Sequence, residues 1–308
     1  MRVLVLGGYG AVGARVMTEL AAREVTAIAA GRDRLRADRV VDLTVPGSLG
    51  PAVSDVDVVV NAAGSEDPAL AKAATDRGVA FVELTASTGY VARLERMTPA
   101  APLLLSVGLA PGLTNLLAAD LHTTEPGPID LAVLLGAGER HGAAATEWTY
   151  GLLGRRFVDP AGGLVRNYSR PAGFELPGLG KRRLYRTDFA DQHVLTRQLG
   201  VPVRTYFGLD SRLATAALAG LTWLPYAERA PRGVHFPGTD RWLIVARARN
   251  GTTRWAHGRN QSHATAVIGA MTAVATETLP AGVHHLHQLA TLSDVPAGRG
   301  VKLGDSLG

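Results

Sequence analysis

Gly8, Gly10 and Gly13 stand at the spacing G-x-G-x-x-G directly after the apolar run Val3-Leu4-Val5-Leu6. Glycines so placed bring backbone N–H groups against a pyrophosphate. One allows a tight turn, one lets the ligand approach the main chain, and one lets a helix pack closely on the strand. The run Gly7, Gly8, Tyr9, Gly10, Ala11, Val12 and Gly13 is therefore a candidate dinucleotide-binding turn. The phosphates would sit on the free N–H groups and positive end of a helix beginning near Ala11. An ordinary Gly-rich strand-to-helix turn shares this pattern, but the context favours the ligand. Val12, Val16 and Leu20 recur at helical spacing, and a second apolar run, Val25 to Ala30, follows at βαβ distance.

The end of that second run bears on which dinucleotide. A site for NAD offers Asp or Glu to the ribose 2′-hydroxyl, whereas this chain has Ala30-Gly31-Arg32. Gly31 leaves room, and Arg32 supplies a planar, permanently charged fork for a 2′-phosphate, so NADP(H) is the expected cofactor. Asp33 is the competing feature, because a two-residue shift of register would bring a carboxylate to the ribose instead.

Hydride transfer asks little of side chains beyond positioning, but protonating a nitrogen, alkoxide or carbanion requires an acid or base. His141, before a helix and after the first strand of a second domain, is the first candidate, with a surface cap as its alternative. Glu83 is the second. It ends a strand, where partial burial raises a carboxyl pKa, and its alternative is bonding to ribose or backbone. Glu147 and Tyr150 share a helix face, and Asp188 reads as the N-cap of a helix carrying Asp191, Gln192 and His193. Arg204, Arg241, Arg247 and Arg254 are candidates for a substrate carboxylate, with the Gly258–His263 stretch as a further rim. His284, His285 and His287 lack supporting carboxylates, so no metal site is expected.

The elements that must hold these residues alternate. Strands are expected at 39–42, 57–61, 79–84 and 102–106, and helices at 68–77 and 87–97. This is an α/β pattern, a Rossmann-type doubly wound parallel sheet, whose ligands bind outside the carboxyl ends of the strands. That rule gathers Arg32, Asp42, Asn61, Ala62, Ala63, Gly64, Glu83 and Ser106 to Gly108 on one rim. Beyond about Leu121 the strands lengthen and alternate, at 129–136, 203–209, 242–249 and 252–257, the last two joined by Asn250-Gly251. A second α+β domain on a mostly antiparallel sheet follows. The expected limits are 1–120, 121–280 and a C-terminal segment, 281–308, packing back on the first domain. Residues 155–186, rich in Gly, Pro and Arg, read as a long loop or lid, and 262–279 as an apolar helix.

Composition excludes several classes. The 308 residues contain no cysteine, which removes disulfides, thiolate zinc sites and cysteine nucleophiles. No apolar stretch approaches the roughly 20 residues of a membrane span, and glycines break the N-terminal run too early for a signal peptide, so a soluble, cytoplasmic protein is expected. A net charge of +5 is modest, and its one basic cluster, Lys181-Arg182-Arg183 with Arg186, has few interleaved aromatics. A solvated loop or acidic-substrate rim is expected there, with no nucleic-acid partner. An antiparallel sheet with one uncovered apolar face would favour a homodimer.

With these features placed, the chain resembles the saccharopine dehydrogenase-like family. The resemblance rests on Gly7 to Gly13, on Phe81-Val82-Glu83-Leu84-Thr85, and on Gly108-Leu109-Ala110-Pro111-Gly112-Leu113-Thr114-Asn115. His141-Gly142-Ala143-Ala144 and Gly282 to Leu289 match further. It implies a reductase moving hydride between a nicotinamide and a carbon bonded to nitrogen, acting on a small-molecule imine. Gly108, Pro111 and Gly112 would then form a stiff loop approaching the nicotinamide, with Asn115 bonding its carboxamide or starting the next helix. Paired arginines for two dicarboxylate partners are not identifiable, which argues against saccharopine itself. Reduction of a C=C or C=O bond, or a non-catalytic NADP(H) sensor, are the alternatives.

Overall fold

The computed structural model describes residues 1–85, 87–138, 148–225, 227 and 238–305. The chain divides into two compact units, Met1–Gly112 with Ser262–Pro296, and Leu113–Gln261 with Ala297–Gly308. These limits differ from the expected ones chiefly in the helix Gln261–Ala275, which counts with the first unit from Ser262 on. It is apolar nearly all round, and a Cβ built at its Gly269 would lie 3.2 Å from Leu84 and 3.8 Å from Val16.

The first unit is built on seven parallel strands. They are β1 (Arg2–Leu6), β2 (Thr26–Gly31), β3 (Arg39–Val40), β4 (Val58–Asn61), β5 (Ala80–Glu83), β6 (Pro102–Leu105) and β15 (Gly282–His285). Their order is β15-β6-β5-β4-β1-β2-β3. Val3 to Leu6, Val58 to Val60, Phe81, Val82 and Leu103 to Leu105 are buried, as continuous apolar runs in a sheet covered on both faces must be. The covering helices carry local signals. Pro68–Thr75 starts with proline at its first position and Asp67 as N-cap, the carboxylate accepting from Ala69 N at 2.9 Å. Strand order reverses between β1 and β4, the point at which such sheets open a crevice for ligands. Because all seven strands run the same way, Gly7, Gly31, Asn61, Glu83, Ser106 and His285 lie along one edge. The expected doubly wound sheet is present, and β15 adds a seventh strand, with His285 opposite Leu105 of β6.

The second unit holds β7 (Ile129–Leu135), β10 (Ser169–Leu176), β11 (Gly180–Arg186), β12 (Val203–Leu209), β13 (Arg241–Ala248), β14 (Thr253–Arg259) and β16 (Val301–Gly304), in the order β10-β11-β12-β7-β13-β14-β16. Its described pairs are antiparallel except β7 with β12. Asn250-Gly251 favours positive φ at both turn positions, but the β13–β14 turn is built differently. Only Gly251 has positive φ (95°), and Asn250 instead accepts from Thr252 N through its side chain at 3.0 Å.

Residues 155–186 are not the expected loop or lid. They form β8 (Arg156–Val158) and β9 (Leu164–Arg166), a separate two-stranded hairpin, followed by β10 and β11. Arginines and glycines on the outward positions hid the alternation that places Phe174, Leu176 and Leu184 inward. β11 pairs with β12 only at Tyr185 and Arg186, and the rest of the β10–β11 hairpin curls back over the sheet. There Arg247 Nη1 of β13 donates to Gly173 O of β10 at 2.9 Å, and Phe174, Leu176 and Leu184 share a core with Ala132, Leu134, Leu243 and Val245. Ala132, Leu134, Leu243 and Val245 of the sheet are thus buried against the chain's own hairpin. The helix Thr114–Thr124 packs against β13 and β14. Among the described residues no helix is long and apolar enough to cross a membrane.

Candidate functional site

The glycine turn is held from three sides. Gly7, at φ 71°, donates its N–H to Ala30 O of β2 at 2.8 Å, and its carbonyl accepts from Gly10 N at 2.8 Å. A Cβ at Gly13 would lie 2.1 Å from Gly7 O, so the helix α1 (Gly13–Ala21) can start this close to the strand only with glycine there. Gly10 faces outward, and a Cβ there would meet nothing but Gly7 O, at 3.1 Å. The turn therefore presents exposed main chain at the start of a helix, where a phosphate can be received. Gly7 backs onto Ala62 and Ala63 at the exit of β4.

At the end of β2, Gly31 leaves room for the Tyr9 ring, which a Cβ would meet at 2.5 Å. Tyr9 is clamped here. Its hydroxyl accepts from Asp33 N at 3.0 Å, its carbonyl accepts from Arg36 Nη2 at 3.0 Å, and the Arg36 guanidinium lies 4.5 Å from its ring centre. Asp33 accepts from Leu35 N at 2.9 Å, which ties its carboxylate to its own turn. Arg32 is exposed and is the first residue after the strand. Asp42 bonds Thr44 through both hydroxyl (2.7 Å) and N–H (3.0 Å). Those two bonds, with a smaller contribution from the charge of Arg32, hold its carboxyl below the ordinary value.

At the end of β5 the Glu83 carboxylate is 1% exposed. Oε2 accepts from Asn61 Nδ2 at 2.7 Å and from Tyr90 OH at 3.1 Å, while Oε1 accepts from Thr85 N at 2.8 Å. Burial pushes its pKa up to about 7, against the opposing pull of its bonds to Thr85, Asn61 and Tyr90. Asn61 is shared, since its Nδ2 also donates to Ser65 O at 2.9 Å and its Oδ1 accepts from Ala63 N at 3.3 Å. One buried carboxyl thus shapes the β4 exit as well as the β5 exit.

At the end of β6 the chain turns at Ser106, φ 56°, and runs through Gly108, Pro111 and Gly112, all buried. A Cβ at Gly112 would lie 3.3 Å from Ser106 O, so this loop folds against its own strand end. Asn115 does not cap the next helix, because it is the second residue of Thr114–Thr124.

Several expected site residues are engaged elsewhere. Asp188 is not an N-cap; that position belongs to Phe189, and Asp188 meets His193 Nε2 at 2.7 Å. Arg247 pairs with Asp130 at 3.0 Å and Arg254 with Asp120 at 2.6 Å. Arg186 of the expected solvated cluster is buried against Asp159. The Gly258–His263 rim is the end of β14 and the start of a helix, with only Asn260 between. His141 and Glu147 lie outside the described residues, so Glu83 is the described member of the two catalytic candidates. Tyr90 and Asn61 were not read as its partners. Their only sequence signal was position, Asn61 at a strand end and Tyr90 on the following helix.

No protein-family model and no curated protein matches the chain. Among solved structures, saccharopine dehydrogenase (L-Glu forming) from Saccharomyces cerevisiae is similar over 93% of this chain and 94% of its own, with TM-score 0.61 and 13% identity. The fold is that of saccharopine dehydrogenase. DAP dehydrogenase of C. glutamicum, in complex with DAP, is similar over 96% of each chain, with TM-score 0.51 and 14% identity. Both likenesses to the saccharopine dehydrogenase fold run through the two units and not through the dinucleotide-type sheet alone.

Proposed function

We propose that this chain is an NADP(H)-dependent oxidoreductase of the saccharopine dehydrogenase-like family, transferring hydride to an imine formed from a small amine or amino acid and a carbonyl compound. The supporting observation is the edge of the parallel sheet. It joins an open glycine turn at Gly10 to an exposed Arg32 beyond Gly31, in a chain that shares its fold end to end with two proteins named as dehydrogenases. The cradle fits the group, because the space a Cβ would fill at Gly10 is free on its outer side.

When bound, the cofactor supplies a hydride to the imine carbon; the imine nitrogen takes a proton, and an amine and oxidised cofactor result. Gly7 to Gly13 receive the pyrophosphate, and Ala62, Ala63 and Gly64 line the adjoining strand exit. Arg32 takes the 2′-phosphate, a role supported by the internal bonding of the Asp33 and Asp42 carboxylates. Gly108, Pro111 and Gly112 form the wall at the β6 exit. Glu83 holds or releases a proton near neutral pH at the sheet edge, and His141 is the other acid–base candidate. Arg247 and Arg254 are already paired, which argues for a substrate smaller than a tricarboxylate such as saccharopine.

Cofactor affinity and cofactor oxidation over a panel of amine and carbonyl pairs test this. NADPH is expected to bind at least about tenfold more tightly than NADH, and Arg32→Ala to remove the difference, since a charge-assisted contact contributes roughly 1.5–3 kcal/mol. Equal affinities in the unaltered protein would refute the NADP(H) preference. Turnover should require the amine; turnover without it would indicate C=C or C=O reduction, and tight binding without turnover a sensor.

A further inference from the structure

A second buried polar chain lies on the same sheet edge, one strand beyond Glu83. Ser106 Oγ is 2.9 Å from His285 Nδ1, and His285 Nε2 is 3.2 Å from Glu95 Oε1. The three residues come from the β6 exit, the end of β15 and the end of the helix Thr88–Leu94. Their exposure is graded: Ser106 is 1% exposed, the His285 side chain 4% and the Glu95 side chain 20%. One end of the chain therefore meets solvent and the other is enclosed at the edge where ligands of such sheets bind.

We propose that Glu95, His285 and Ser106 form a proton relay that serves the reacting nitrogen, with the Ser106 hydroxyl delivering the proton, the His285 ring supplying it from Nδ1, and Glu95 positioning the ring behind it. This rests on the imine-reductase reading above. Its location follows from the sheet. Arg32 and the 2′-phosphate end belong to β2, on one side of the switch point, so the opposite end of a dinucleotide extends toward β4, β5 and β6.

The geometry permits two proton states. In the acid state both ring nitrogens carry hydrogen, Nδ1–H donating to Ser106 Oγ and Nε2–H to Glu95. As the imine carbon receives hydride, its nitrogen takes the Ser106 hydroxyl proton and Ser106 takes the proton from Nδ1. His285 is left neutral with its remaining hydrogen on Nε2, facing Glu95, and Ser106 O–H now donates back to Nδ1. Once the product leaves, a proton from water at the emptied ligand edge returns through Ser106 to Nδ1, while Glu95 keeps the Nε2 hydrogen throughout. The reverse reaction returns the proton from the amine nitrogen through Ser106 to Nδ1. Among the described residues, the titratable groups facing His285 are Glu95 and His287, whose ring centre lies 5.9 Å away. Burial, and secondarily the neighbouring His285, push the His287 pKa down to about 4, so His287 stays neutral near neutral pH.

The test uses the full chain in two measurements. In turnover with NADPH, Ser106→Ala should lower kcat about 100-fold with NADPH affinity within twofold, and Ser106→Thr should recover most of the loss. Glu95→Gln should shift the kcat–pH profile toward lower pH by about one unit, because the imidazolium loses its anion. A kcat within threefold in Ser106→Ala, or superimposable profiles for Glu95→Gln, would overturn the relay. Nitrogen NMR of His285 in the protein without cofactor gives a readout independent of activity. The relay requires the neutral ring to carry its hydrogen on Nε2 and to gain one at Nδ1 on acidification, at lower pH in Glu95→Gln; a neutral ring protonated on Nδ1 overturns it. If no substrate pair turns over, the imine-reductase reading fails and the NMR result alone decides the relay.

Discussion

Glu83 in the first unit and Asp159 in the second are both nearly inaccessible, at 1% and 5% exposure, and the protein handles them in opposite ways. Asp159 meets a cation, with Arg186 Nη1 at 2.5 Å, while Arg186 Nη2 donates to Gln192 Oε1 at 2.8 Å. Burial pushes the Asp159 carboxyl up, but the Ala161 N–H and the Arg186 guanidinium more than reverse this and leave it below the ordinary value. Glu83 has neutral donors, and burial wins. A paired carboxylate stays ionised and fastens a fold, whereas one supported by neutral donors exchanges its proton near neutrality. The difference separates a structural charge in the second unit from a carboxyl that titrates near neutrality at the carboxyl edge of the parallel sheet.

Removing the cation breaks the comparison most severely. Arg186→Ala strands Asp159 in the interior and should cost about 3–5 kcal/mol at neutral pH in denaturant unfolding. The loss should shrink as pH falls through the ordinary carboxylate range, because the stranded carboxyl, without the guanidinium to offset its burial, takes a proton there. A loss under about 1 kcal/mol would mean that water reaches the carboxylate.

The second prediction concerns the sign of the pH dependence. Glu83 has a folded pKa of about 7 against an ordinary 4.5, so the folded state holds more protons between those values and stability falls as pH rises through that window. The decline should amount to about 2–3 kcal/mol and be largely absent in Glu83→Gln. Asp159 contributes oppositely, its stabilisation being lost as pH falls below 3.8. Unfolding titrations of the two variants should therefore diverge in opposite pH ranges, and parallel curves would show that the two carboxylates are equivalent.

A smaller change sharpens the same contrast. Tyr90→Phe deletes one neutral donor to Glu83 and should cost about 1 kcal/mol while raising the Glu83 pKa further. A carboxyl-sensitive infrared titration checks this, and a downward shift would contradict the assigned hydrogen bond.

Much of the parallel sheet was legible in the sequence, because strands buried on both faces are written as continuous apolar runs and their helices carry local caps. The glycine turn was legible for the same reason, since close approach at Gly13 and positive φ at Gly7 are demands of neighbouring residues. Residues 155–186 were not. In β10 and β11 the inward positions are few and the outward ones are Arg, Lys, Glu and Gly, so the period-two signal is weak until the hairpin is seen lying on Ala132, Leu134 and Val245. The bond from Leu35 N to the Asp33 carboxylate likewise leaves no mark in the sequence.

By itself the sequence determined the alternation of strands and helices, the phosphate-type turn and the placement of Arg32 after β2, because each depends on residues a few positions apart. The tertiary structure decided which carboxyl is enclosed and what surrounds it. Asn61 reaches Glu83 across 22 residues, and Ser106 reaches His285 across 179. Such contacts leave no periodic trace in the chain, since burial and hydrogen-bond partners arise only when separate strands end side by side on one sheet edge.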